Sequence, residues 1–243
     1  LQARLQVPVA VGNDVRVAVL AEHAAGAGRG VRNMVGIWPG TGVGGGLILN
    51  GHLYMGEGAM AGEVGHITIK AGGPKCGCGG RGHLEALASR TAIVRDIAKA
   101  VKKGEKTLLT KTVGKDVSTA TSGALARAWR RGDKLVTRVL DRAAEHLALG
   151  IASVANLLNP ELVVLGGGVV EGLGESYIEQ VRKLVRKMPL QSSTESLRIV
   201  KSELGDDAGI TGAALLARRL AGGTTTADAA TGRAAADGAS AGV

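Results

Sequence analysis

Apolar positions along the chain fall into short unbroken runs that alternate with stretches of helical period. Pro8-Val9-Ala10-Val11-Gly12 predicts a short buried strand ending at Asn13-Asp14. Val15 to Ala24 follows as a helix, with apolar residues at 15, 17, 18, 19 and 20. Asn33 to Trp38 predicts a second strand, Gly40 to Gly46 a glycine turn, and Leu47-Ile48-Leu49 a strand closed by the hairpin pair Asn50-Gly51. Residues 52 to 64 read as a loop, His66 to Ile69 as a strand and Leu84 to Val101 as a helix. Lys102 to Ser118 is polar and predicts an exposed connection. Two helices come next, over roughly 119–130 and 134–157. In the second, Val136, Leu140, Ala143, Leu147, Ile151, Val154 and Leu158 recur at helical spacing, which marks a core helix. Glu161 to Leu165 reads as a strand buried on both faces, from the unbroken apolar run of Leu162 to Leu165. Gly166-Gly167-Gly168 turns the chain toward a helix from about 175 to 187; Leu197 to Val200 is a strand and Ala208 to Leu220 a helix. Residues 222–243 are Gly, Ala, Thr, Ser and Asp with almost no core formers, which predicts a disordered tail. Strands alternate with helices, so the fold class is α/β.

Composition narrows the picture. The 243 residues are 45% apolar but only 2% aromatic, with no Phe, so the core is built from Leu, Val, Ile and Ala. That excludes an aromatic stacking platform for single-stranded nucleic acid. The net charge of +9 is dispersed through Lys102-Lys103, Arg130-Arg131, Arg182-Lys183 and Arg186-Lys187, beside acidic residues at helical spacing. Solvated helix faces account for it. No apolar run approaches a bilayer span and no signal peptide opens the chain. Two cysteines separated by one Gly do not readily close a disulfide, and a reduced, metal-bound pair fits a cytoplasmic protein.

The densest chemistry lies between His66 and Glu85. His66, Cys76, Cys78 and His83 follow a His-x9-Cys-x-Cys-x4-His spacing in a glycine-rich segment, a ligand set for tetrahedral zinc. Four protein ligands leave no open position for a reacting water, so the predicted zinc is structural. Glu57, Glu63 and Glu85 lie near these ligands in sequence. The glycine turns at 40–46 and 166–168 each follow a strand, where open α/β sheets bind ligands. Their N–H groups could approach phosphate oxygens, and Thr41 adds a hydroxyl; alone, each reads first as a tight turn needing positive φ, and the two strand-terminal turns together point toward nucleotide phosphates. Neither is a Walker motif or a dinucleotide fingerprint. Asn13-Asp14, between a strand and a helix, reads as a helix cap or as a carboxylate base beside an orienting amide.

Together these residues resemble the ROK family of bacterial sugar kinases and sugar-responsive repressors. The resemblance rests on Asn13-Asp14-Val15, on Gly40 to Gly46, on Glu63-Val64-Gly65-His66 with Cys76 to Glu85, on Asn159 to Gly168 and on Gly205 to Ala214. It implies an actin-like, ribonuclease-H-like fold with a sugar cleft between two lobes. Residues 1–25 would be a remnant of the small N-terminal lobe, 26–205 the large lobe with the sugar and zinc site, and 206–221 a helix returning toward the small lobe. It implies Asp14 as general base, with Asn13, Glu63, His66 and Glu85 on the other sugar hydroxyls. Gly40, Thr41, Gly42, Gly166 and Gly167 would contact ATP, which carries Mg2+. The implied activity is phosphorylation of a hexose, glucose first, by a homodimer. Another hexose or amino sugar is the runner-up, and a sugar-sensing repressor the rival, which requires a DNA-binding helix pair ahead of Leu1. Two departures stand out. His83 replaces the family's third cysteine, and the family's N-terminal Asp-x-Gly-x-Thr phosphate motif is absent, so residues 1–243 alone are expected to show little kinase activity.

Overall fold

The computed structural model of the chain describes residues 1–188 and 196–222. The expected disordered tail lies outside them, apart from Gly222. A five-stranded sheet forms the centre, in the order β3-β2-β1-β4-β5. The strands are β1 (Met34–Pro39), β2 (Val43–Leu49), β3 (His52–Leu53), β4 (Leu162–Leu165) and β5 (Arg198–Lys201). β1 pairs antiparallel with β2 and parallel with β4, which pairs parallel with β5. The expected hairpin forms at Asn50-Gly51, where both residues have positive φ, at 53° and 84°.

Side-chain alternation along the strands splits the interior into two layers. Val35, Ile37, Val43, Leu47, Val163 and Leu165 face one core. Met34, Ile48, Leu162 and Val164 face the other. The first and larger core is covered by α4 (Arg90–Lys102), α6 (Ser122–Arg130), α7 (Lys134–Leu158), α8 (Gly168–Leu173) and α9 (Glu175–Val185). The expected helical stripe of α7 is buried at Val136, Leu140, Ala143, Leu147, Ile151 and Val154. The second layer is α2 (Asp14–Ala25), whose Val19 packs on the sheet, with α10 (Ala208–Leu220) packed on α2. Short helices α1 (Gln2–Leu5), α3 (Glu85–Ala88) and α5 (Thr110–Val113) complete the order.

Four local expectations are corrected. Residues 8–12 form no strand and are almost wholly exposed, because no neighbouring strand pairs with them among the described residues. Gly44, Gly45 and Gly46 belong to β2 and not to a turn. Their lack of side chains lets α2 and the following loop approach: a Cβ on Gly44 would lie 2.4 Å from Val15 Cγ2, and one on Gly45 2.4 Å from the Gly62 carbonyl. His66 closes a short 3-10 turn (Val64–His66), and Thr68 makes a single bridge to His83 in place of a strand. Finally, the helix expected over 84–101 is two helices, broken where Ser89 caps α4 by accepting from the Ala92 N–H at 3.1 Å.

Candidate functional site

β1 and β4 are parallel neighbours, with Ile37 beside Leu165, so the turns that leave them emerge at the same sheet edge. Gly40 and Gly42 are tied to each other by a 2.8 Å backbone hydrogen bond, and Gly40 faces open space. The N-terminus of α4 braces this turn. Arg90 N–H donates to the Gly40 carbonyl at 2.8 Å, the Arg90 guanidinium to Thr41 Oγ1 at 2.8 Å, and the Thr91 hydroxyl to the Thr41 carbonyl at 2.7 Å. At the second turn, a Cβ on Gly166 would lie 2.4 Å from the Trp38 ring, and Gly167 has φ 81° beneath the Pro39 carbonyl. Tight packing against the end of β1 therefore explains Gly166-Gly167 without a ligand, whereas Gly40 leaves room for one.

Beside the first turn, α2 begins. Asn13 is its N-cap, its Oδ1 accepting from the Val15 and Arg16 N–H groups at 3.1 Å each. Asp14 is exposed at the first helical position, and one carboxylate oxygen accepts from its neighbour's N–H at 2.9 Å. Capping leaves the Asn13 amide NH2 free to donate outward. Arg16, buried, donates to Glu63 Oε1 at 3.1 Å and to the Ala59 carbonyl. That ion pair fastens the loop carrying Glu63 to the start of α2. The sequence reading missed Arg16 and Arg90. The signal for Arg16 was a guanidinium between Val15 and Val17, on a helix face otherwise apolar.

The four expected metal ligands do come together. One donor atom from each of His66, Cys76, Cys78 and His83 lies within 4.8 Å of the others. His66 Nδ1 is 3.7 Å from Cys76 Sγ, and His83 Nδ1 is 3.2 Å from Cys78 Sγ. A tetrahedral ion with bonds of about 2.0–2.3 Å needs donors about 3.3–3.8 Å apart, so the set fits zinc with small inward shifts. The backbone makes a knuckle around it, with Cys76 N–H donating to the Gly80 carbonyl and Gly79 N–H to the Cys76 carbonyl. Gly80 accommodates the histidine that stands in place of a cysteine, because a Cβ there would fall 2.3 Å from the His83 ring. Burial, aided by the Glu85 carboxylate, pushes the Cys76 thiol up to about 11, so metal binding would displace its proton.

Glu85 joins the parts. Its Oε2 accepts from the Val43 N–H at 3.1 Å, just past the first turn, and its Oε1 lies 3.3 Å from Cys76 Sγ. His66 Nδ1 lies on the Cys76 side of its ring, so Nε2 is the ring nitrogen not used in that contact. The arrangement offers carboxylates, an amide and an imidazole for hydroxyl groups, and a glycine turn braced by an arginine for phosphate.

The ROK family pattern matches residues 1–220. Glucokinase of Thermotoga maritima is 37% identical over 211 residues, 87% of this chain and 66% of that protein. The N-acetylglucosamine repressor of Escherichia coli O157:H7 is 29% identical over 92% of this chain and 53% of its own length. A ROK family glucokinase from Streptomyces griseus, solved in complex with glucose and AMPPNP, superposes with a TM-score of 0.79 at 32% identity, covering 90% of this chain and 70% of that one. The chain thus spans about two thirds of the glucokinase and about half of the repressor, and it belongs to the ROK family.

Proposed function

We propose that the protein is an ATP-dependent hexose kinase. The observation that carries the reading is the linkage of the Asp14 segment, the Gly40-to-Gly42 turn and the His66–Glu85 metal loop through Arg16–Glu63 and Glu85–Val43. The glucokinase from Streptomyces griseus, bound to glucose and AMPPNP, supports both ligand classes. Asp14 takes the proton of the attacking sugar hydroxyl. That oxygen bonds to the γ-phosphorus as the bond to the β–γ bridging oxygen breaks, and ADP leaves. Asn13, the unpaired oxygen of Glu63, His66 Nε2 and Glu85 hold the remaining hydroxyls. Gly40, Thr41 and Gly42 cradle the donor phosphates with Arg90 behind them, and Gly166-Gly167 form the floor toward the nucleoside. Magnesium, carried in with ATP, would neutralise phosphate charge. Zinc on His66, Cys76, Cys78 and His83 would fix the His66 ring. Packing of α10 on α2 supports grouping residues 206–221 with the N-terminal lobe remnant 1–25, against a large lobe of 26–205. A cytoplasmic homodimer completes the reading; among the described residues no helix is long and apolar enough to cross a membrane.

The test is a coupled assay with a hexose panel on the protein at its full gene-encoded length. Asp14→Ala should abolish turnover, by about a thousandfold or more, while sugar binding measured by calorimetry is largely kept. If turnover survives, Asp14 is only a helix-capping residue. The repressor relative at 29% identity supports a second reading, a sugar-responsive regulator. Sugar-dependent retention of operator DNA without any phosphorylation would favour it.

A further inference from the structure

A second cluster of charge lies outside the candidate sugar and donor sites. The loop that leads into the metal knuckle packs over α4 and α7, and a cavity of about 260 Å³ remains between them. Lys70 lines it from the loop, Arg95, Asp96 and Lys99 from α4, and Arg142 and His146 from α7. The pairs 95/99 and 142/146 are one helical turn apart, so each helix presents its pair on one face. The carboxylate of Asp96 is taken by Arg95 at 2.8 Å, and Arg95 also donates to the Ala86 carbonyl at 3.0 Å. Lys70, Lys99 and Arg142 have no ion pair among the described residues. Burial lowers the proton affinity of His146 and the charge of Lys70 lowers it further, opposed by the charge of Glu145 and a backbone hydrogen bond to Arg142, with the Arg142 charge the smallest contribution. The loop cation Lys70, the α4 cation Lys99 and the α7 cation Arg142 line this one cavity together with His146. Three unpaired like charges around one small cavity repel each other, and an anion there would relieve that repulsion. The cations supply N–H donors and no acceptor, which suits a ligand made of acceptor oxygens.

We propose that the cavity between the metal-knuckle loop and helices α4 and α7 binds a phosphate-class oxyanion, either orthophosphate or the phosphoryl group of a small monoester, held by Lys70, Lys99 and Arg142. The consequence is mechanical. Lys70 N–H donates to the Gly82 carbonyl at 3.0 Å, one residue before His83, and the Lys70 carbonyl accepts from Gly73 N–H at 2.9 Å. An anion shared between Lys70 and the two helices clamps the base of the knuckle to the core. The site stands independently of the kinase reading, since it uses none of the residues assigned to sugar or donor.

Calorimetric titration with orthophosphate and, separately, with glycerol 3-phosphate tests this on the zinc-loaded chain at fixed ionic strength, because Lys70, Lys99 and Arg142 are exposed and salt screens them. Saturable one-to-one binding is expected, and the tighter of the two ligands identifies the source of the phosphoryl group. Lys70→Ala and Arg142→Ala should each weaken it about tenfold, the loss of one charge-assisted hydrogen bond. Thr41→Ala, in the donor turn, and Lys183→Ala, a distant charge control, should leave it unchanged. Each variant is accepted only if its metal content and its melting temperature without anion match the parent. Loss of binding in Thr41→Ala but not in Lys70→Ala would move the anion to the donor turn; that overturns this proposal and leaves the kinase reading intact. Weak, non-saturating binding that Lys183→Ala reduces as much as Lys70→Ala does would mean an adventitious ion only, and would also overturn it.

Discussion

Glu22 has more structural work than any carboxylate the sequence drew attention to. It is wholly buried on α2 and accepts three backbone N–H groups, from Ala27 at 2.9 Å, Glu203 at 3.1 Å and Leu204 at 2.9 Å. It thereby ties α2 to the loop that precedes α10. Glu22→Ala should orphan all three donors, at about 1–3 kcal/mol each, and lower unfolding free energy in urea by about 3 kcal/mol or more. A loss below about 1 kcal/mol would show that water replaces the carboxylate. Nothing local in the sequence marked this residue, since its partners at 203 and 204 are remote and are backbone groups. The Cys/His cluster was legible for the opposite reason: His66, Cys76, Cys78 and His83 are few, close in sequence and chemically distinctive. Asn13 was legible as a cap because capping is a local act. The pairing of Arg16 with Glu63 needed the loop and the helix to meet.

At the scale of elements, glycine explains more than one outcome. The run at 44–46 was read as a phosphate turn, yet it is strand β2 made thin so that α2 can lie against it. Sequence alone could not separate the two, because a missing side chain serves a ligand and a packed helix equally. Gly80 has a narrower task, making room for the His83 ring. Gly80→Ala should weaken zinc about tenfold in competition with a chromophoric chelator, by displacing one ligand. An unchanged affinity would mean that the knuckle moves freely. Helix α2 also carries a pH dependence. His23 is buried with Nε2 2.8 Å from the Val31 carbonyl, and burial holds its pKa below the ordinary 6.5. The unfolded chain then takes up a proton near pH 6.5 that the folded chain refuses, so stability falls as pH drops through that value. Denaturation midpoints between neutral and mildly acidic pH should decline accordingly, and His23→Gln should flatten the decline.

For the whole molecule, the Cys/His knuckle is flanked by Val64 and Leu84 of the main core, but none of its four candidate ligands belongs to that core cluster. Its ligands sit in loops, while the large core is continuous through α4, α6, α7, α8 and α9. Chelation should therefore lower the melting temperature without unfolding the body, and restoring about one zinc per chain should reverse the change. Complete loss of secondary structure on chelation would contradict that division. The sequence by itself determined the α/β class, the long core helix, the fully apolar β4 and the clustering of His66, Cys76, Cys78 and His83. Each depends on a local period or on rare, adjacent residue types. Tertiary structure alone decided that residues 8–12 pair with nothing described, that three glycines lie within strand β2, that Arg16 meets Glu63 and that Glu85 joins the Val43 N–H to Cys76. It also decided that Lys70, Lys99 and Arg142 face one cavity. These are contacts between residues distant along the chain, where the energy of closing the fold, and not local preference, sets the partner.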